Sequence, residues 1–226
     1  MNPSLGIALA MSLLLSSQVF AQTKNFEGFA AEFSTGSQKR SLNNGTILVN
    51  STDASTGNSI ESGSKNTTPA IIGLSYGFKM AEKVVTTVGL DYNLTSSSIA
   101  AAARCAGAAG CVPAVTVTEK INSRYNIYVA PGYQLSPSSL AFVKLGYVQN
   151  TKSISSSDGT NITGGPSNSG WLNGIGYKQF LTGQVYGFAE YSQTKNSSGK
   201  ATASTSYWNT GKLKTESFLV GVGYKF

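Results

Sequence analysis

The residues able to carry chemistry are few, and they sit at alternate positions of extended stretches. Glu32, Asp91, Arg124, Lys144, Lys178 and Glu190 each lie on the face opposite to large apolar neighbours. Three carboxylates and three cations on one face suit mutual pairing, or a polar pathway for protons or small ions. The 226-residue chain has no histidine, and its 17 Lys and Arg exceed its 10 Asp and Glu to give a net charge of +7. Without an imidazole a serine nucleophile lacks its usual base, and a transition metal lacks its commonest nitrogen ligand. No catalytic, metal or cofactor site is expected, and the chain is read as non-enzymatic.

Six charges turned to one side need strands to aim them. The final stretch shows the pattern most clearly: Phe218, Val220, Val222, Tyr224 and Phe226 alternate with Leu219, Gly221, Gly223 and Lys225. Period two is the signature of a strand with one apolar face. The same alternation puts Phe29, Ala31 and Phe33 opposite Ala30 and Glu32. It puts Ile72, Leu74, Tyr76 and Phe78 opposite Gly73 and Gly77, and Val88, Leu90 and Tyr92 opposite Gly89 and Asp91. Ile121, Tyr125, Ile127, Val129 and Tyr133 are read as outward, with Arg124, Asn126 and Ala130 inward. Val143, Leu145 and Tyr147 oppose Lys144; Trp171, Ile175 and Tyr177 oppose Lys178; Val185, Ala189 and Tyr191 oppose Glu190. Each apolar face is about 9–11 residues long, enough for a tilted strand to cross a bilayer.

The connections alternate in length. Residues 80–83, 136–139 and 181–184 are short, whereas about 37–68, 96–118, 152–168 and 196–212 are long and rich in Ser, Thr, Asn and Gly. An even number of strands with every long connection at one end reads as an all-β, eight-stranded antiparallel up-and-down transmembrane barrel. Closure follows from physics, because an open sheet edge in hydrocarbon leaves N–H and C=O groups without partners. Ahead of the barrel, Leu5 to Leu15 are almost all apolar, and Val19-Phe20-Ala21 precedes Gln22 as a cleavage site. Residues 1–21 are read as a signal peptide and 22–226 as the exported barrel. Export lets Cys105 and Cys111, six apart in a loop of small residues, form one disulfide.

The chain resembles the small bacterial outer-membrane barrels that include opacity-like proteins and the transmembrane domain of OmpA-type proteins. The resemblance rests on Pro131-Gly132-Tyr133, Leu145-Gly146-Tyr147, Ala189-Glu190-Tyr191 and Gly221-Val222-Gly223-Tyr224-Lys225-Phe226. It implies that the terminal alternation of Phe218, Val220, Val222, Tyr224 and Phe226 addresses the chain to the barrel-assembly machinery. It places the turns in the periplasm and the long loops outside the cell, with no wall-binding domain after the last strand. The barrel enzymes of this kind resemble one another in using histidine, which is missing here.

The cations gather toward the long loops. Lys39, Arg40, Lys120, Lys152, Lys212 and Lys214 are expected to form a rim facing the anionic phosphates of lipopolysaccharide. The expected function is a monomeric outer-membrane barrel displaying extracellular loops for surface interaction or adhesion, or serving as envelope structure. A host or cell-surface ligand would bind the loops, and nucleic acid is not a partner. The alternative is a narrow porin-like channel for small solutes or ions.

Overall fold

A computed structural model describes residues 25–43, 45–49, 58–60, 63–104, 115–156, 161–197, 200–203, 206–209 and 212–226. Residues 1–21, read from the sequence as a signal peptide, and the pair Cys105 and Cys111 lie outside this described part. Eight strands carry the architecture: β1 (Gly28–Asn43), β5 (Ala70–Ala81), β6 (Val84–Asn93), β8 (Val115–Ser136), β9 (Ser139–Ser156), β10 (Asn161–Thr182), β11 (Val185–Asn196) and β14 (Lys212–Lys225). Shorter strands lie between them: β2 (Gly45–Val49), β3 (Asn58–Ile60), β4 (Gly63–Thr67), β7 (Ser97–Arg104), β12 (Lys200–Ala203) and β13 (Ser206–Asn209). The ladder runs β1–β5–β6–β8–β9–β10–β11–β14 and closes on β1, antiparallel throughout. It is a closed eight-stranded barrel.

Alternation decides which side each residue takes. The outer surface exposes Phe29, Leu74, Leu90, Ile127, Leu145, Trp171, Ile175, Phe218 and Val222, whereas Ala30, Asp91, Arg124, Lys144, Lys178 and Glu190 are buried inside. A surface this apolar is stable only against lipid. At one end, here the turn end, two-residue turns at 82–83, 137–138 and 183–184 join neighbouring strands. Gly183 has φ +48°, a left-handed turn conformation that strongly favours glycine. Aromatics border the outer surface, with Tyr147 against Trp171 (centroids 6.1 Å apart) toward the far end and Tyr224 against Phe226 (5.1 Å) at the turn end.

Two features depart from the pattern read in the sequence. First, much of the long polar segments is paired strand. β8 and β10 each span 22 residues, roughly 70 Å at about 3.3 Å per residue. Even tilted by about 45° they rise some 50 Å, against roughly 30 Å of hydrocarbon. Ser, Thr and Asn in these segments serve as strand residues because each ladder partner is itself extended: β1 pairs with β4 on one side and β14 on the other, and β8 pairs with β7 and β9. Further pairings, β7–β3, β3–β2, β2–β13 and β13–β12, tie three of the far-end connections into one sheet.

Second, Ile121 faces inward at 3% exposure. The register between β8 and β9 shifts between Ile121 and Ser123. A bulge adds one residue and flips the faces beyond it. Below the bulge Arg124 and Asn126 point in; above it Ile121 and Glu119 do.

Inside the wall, bulky rings lie on glycines of the paired strand. A Cβ added at Gly223 would meet the Tyr186 ring at 2.2 Å, at Gly176 the Phe142 ring at 2.3 Å, and at Gly89 or Gly221 the rings of Tyr128 or Phe188 at 2.4 Å. These are cross-strand partners: Gly223–Tyr186, Gly221–Phe188, Gly176–Phe142 and Gly89–Tyr128. The Tyr186 ring cannot swing away freely, since it packs on Phe26 and Phe180. Gly223→Ala is expected to destabilise the barrel by about 1–3 kcal/mol, the usual range for an overpacked core. Gly187→Ala, on the outer face with its nearest neighbour at 3.5 Å, should be close to neutral. Urea unfolding of both variants in lipid vesicles checks the contrast.

Candidate functional site: the filled lumen and its cationic far end

The lumen is built in four levels. At the turn end Phe26, Ala30, Val85, Leu140, Phe180 and Tyr186 form one buried apolar cluster, with Phe188 packed against it. The Phe26 and Phe180 rings stand 4.6 Å apart. This stopper follows from inward apolar residues on strands that meet at the turns, with Lys225 buried at its edge and donating to the Phe226 carbonyl at 3.2 Å.

Above it lies an ionic layer. Lys144 on β9 donates to Asp91 Oδ2 on β6 and to Glu190 Oε2 on β11, each at 2.8 Å. Its ammonium also sits 4.1 Å from the centroid of the Tyr128 ring. Lys178 on β10 pairs with Glu32 on β1, and the Tyr186 hydroxyl donates to the same carboxylate oxygen. The rings of Phe142, Tyr186 and Phe188 surround the Lys178 ammonium at 5.2 to 5.8 Å. Five of the six luminal charges thus pair across the bore, between strands two or three places apart in the circle. A bore this narrow lets side chains bridge it, and dry burial demands that they do.

Arg124 occupies the next level. It is buried, but its guanidinium donates to Asn126 Oδ1 at 3.4 Å and Thr194 Oγ1 at 3.5 Å, and among the described residues it makes no direct ion pair. All six charges read from the sequence therefore point inward, but the carboxylate of Glu190 belongs to Lys144. Sequence spacing carries no signal for which charges meet across a circle of eight strands.

The far-end layer departs most from expectation. Arg40 and Lys152, placed by sequence among the rim cations, are buried inside the lumen at 1% and 0% exposure. They cannot face lipopolysaccharide from outside the wall. Arg40 shares the inward parity of Glu32 and Gln38 along β1, and Lys152 that of Lys144 along β9, so strand continuation carries both inside. Lys152 lies 2.5 Å from Glu119, which the bulge in β8 has turned inward. Arg40 Nε donates to Gln38 Oε1 at 3.1 Å, and Gln38 donates to Ser217 Oγ at 3.1 Å. Arg40 Nη1 is buried without a hydrogen-bond partner. This level is beyond the aromatic border, and burial, with nearby Arg124, lowers the Arg40 guanidinium to about 9 against the opposing pull of Glu119. Burial also lowers Lys152, opposed by Glu119 and aided by Arg40.

The other rim residues stay outside: Lys39, Lys120 and Lys212 are exposed, and Lys214 pairs with Glu216 at 2.8 Å on the outer face of β14. On that same face Phe218, Val220, Val222 and Tyr224 are exposed, and the Phe226 N–H donates to the Phe29 carbonyl at 3.0 Å.

Lys144 and Arg124 make unequal demands. Replacing Lys144 by Met leaves two buried carboxylates facing one another, and loss of one partner of a dry ion pair costs roughly 3–5 kcal/mol. Arg124→Gln loses only two long hydrogen bonds and should cost less. Denaturant midpoints of the two variants should rank in that order, with Asp91→Asn partly restoring the Lys144→Met chain.

No curated protein sequence matches the chain. Among solved structures, Ail, the attachment invasion locus protein of Yersinia pestis, is 14% identical with a TM-score of 0.44, the likeness covering 88% of this chain and 99% of Ail. Neisserial surface protein A is 12% identical with a TM-score of 0.47, covering 88% and 98%. The outer membrane protease OmpT from Escherichia coli is 7% identical with a TM-score of 0.50, covering 93% and 99%. At these identities likeness speaks to fold alone. The family model for the outer membrane protein β-barrel domain matches residues 7–226. With the closed barrel, its apolar outer surface and its filled polar lumen, this chain belongs to the outer membrane protein β-barrel family.

Proposed function

We propose that the protein is exported by its residues 1–21, folds as a monomer in the outer membrane, and serves as a closed post whose far end is presented for surface interaction or adhesion. The observation that carries this reading is the filled bore. The stopper of Phe26, Phe180 and Tyr186 backs the ionic layer of Lys144 and Lys178, and two voids between them measure about 10 Å³ each. Such a void holds about one water at most. A pathway for hydrated ions has no room there, which disfavours the narrow-channel reading.

Strands that rise well past the bilayer favour display. A paired ladder holds its tips at a defined height and orientation, where a slack loop would spend binding energy on ordering itself. Lys39, Lys120 and Lys212 are exposed near that end and remain the candidates for contact with lipopolysaccharide phosphates; Lys214 is already answered by Glu216. A disulfide between Cys105 and Cys111 would tie down one tip. With no histidine in the chain, an enzymatic role has no evident general base.

The terminal alternation on β14 is assigned to recognition by the assembly machinery. Phe226 contributes one backbone hydrogen bond and a partly exposed ring, so deleting it should block delivery to the outer membrane while leaving the unfolding midpoint of refolded protein nearly unchanged. Normal surface levels of the truncated chain would contradict that assignment. Planar-bilayer recording tests the closed post: wild type should show almost no steady conductance. Steady, ion-selective conductance would make the protein a channel.

A further inference from the structure

We propose that the far-end layer of the lumen is an anion site, binding a small oxyanion of the phosphate or sulfate class on Arg40 with Arg124 and Lys152. Charge favours such a guest. Among the described residues the lumen above the turn-end stopper holds Arg40, Arg124, Lys144, Lys152 and Lys178 against Glu32, Asp91, Glu119 and Glu190, while Lys225 is buried apart from them at the turn end, donating to the Phe226 carbonyl at 3.2 Å. Lys144 answers Asp91 and Glu190, Lys178 answers Glu32, and Lys152 answers Glu119. The two arginines are left, and only Arg124 has a carboxylate surplus beneath it, at the Lys144 tripod. Arg40 is the uncompensated charge.

Hydrogen bonding favours it too. Arg40 is 1% exposed, yet one of its terminal nitrogens has no acceptor. A buried, unpartnered donor on a charged group is costly, and native interiors rarely keep one. The fork of a guanidinium matches two oxygens of a tetrahedral oxyanion, a geometry that chloride cannot satisfy. Its neighbours suit the same guest. Lys152 is buried at the same end and feels the Arg40 charge, and Asn150 Oδ1 is also unpartnered, so a half-turn of that amide would offer its NH₂ instead. Thr194, Thr215 and Ser217 line the same buried level with hydroxyls.

Burial first, and then the like charge of Arg124, lowers the Arg40 guanidinium; an anion between the two arginines would oppose that repulsion. This site is separate from the exposed lysines outside the wall, because its cations are enclosed by the strands. The guest would be a free inorganic oxyanion or the phosphate or sulfate end of a sugar entering from the far end.

The test uses the whole mature chain folded in phosphatidylcholine vesicles, with thermal unfolding followed by circular dichroism. Inorganic phosphate or sulfate should raise the midpoint by several degrees over chloride at matched ionic strength, since a ligand that binds only the folded state stabilises it. Arg40→Gln and Lys152→Gln should lose the rise, and Lys39→Gln, exposed next to Arg40 on the outer face, should keep it. Radiolabelled phosphate should bind wild type at one per barrel and be displaced by sulfate but not by chloride, a readout independent of any variant's folding. Glucose 6-phosphate in place of inorganic phosphate separates the sources: a matching rise admits an ester end group, and a rise with the inorganic ion alone restricts the site to free anion. No rise over chloride in wild type, or an equal rise in Arg40→Gln, overturns the proposal.

Discussion

The whole structure depends on the seam between β1 and β14. Their register runs without a break from Ala30 opposite Lys225 to Asn43 opposite Lys212. In hydrocarbon an unpaired N–H or C=O has no water to turn to, so a sheet of eight strands survives there only as a circle. The first and last strands are distant in sequence, and joining them costs the entropy of closing nearly the whole chain. Once they meet, every other feature follows. The circle fixes the bore, the bore fixes how much can be placed within it, and alternation fixes which residues are placed there.

A bore of that size turns electrostatics into a packing problem. Lys144 reaches two carboxylates on opposite walls, and Lys178 reaches a third while standing among three aromatic rings. Each cation thereby fixes the separation of two or more strands. The exposed pair of Lys214 and Glu216 has similar distance but different consequence: water screens it, and exposed pairs of that kind contribute little. The same bond length supports the barrel in one place and decorates it in another.

Much of this was legible in the sequence for a physical reason. Period-two alternation is a local property, so Phe29, Ile127, Leu145 and Val222 declare their face without knowledge of any partner. The inward set of Glu32, Asp91, Arg124, Lys144, Lys178 and Glu190 follows from the same parity. Non-local properties were not legible. That Lys144 rather than Arg124 meets Glu190 depends on strand tilt and stagger, which no single strand encodes. The bulge after Ile121 hides a change of parity, so Ile121 and Glu119 end up inside although the count from Tyr125 puts Ile121 outside. Arg40 and Lys152 were within reach: continuing the parity of Gln38 and Lys144 puts both in the lumen. Ser- and Asn-rich surroundings disguised the strands that carry them.

Rings seated on glycines make the wall a set of reciprocal fits. Tyr186 lies where Gly223 has no side chain, and Phe142 lies where Gly176 has none. Neither member of such a couple is free to drift alone. A larger residue at the glycine is tolerated only when the ring opposite shrinks, and a smaller residue at the ring opens a hole unless the glycine is filled. Across diverging descendants of this chain these positions should therefore exchange bulk from one strand to its neighbour. Inheritance would then preserve the total volume at each level of the bore, while leaving open which strand supplies it.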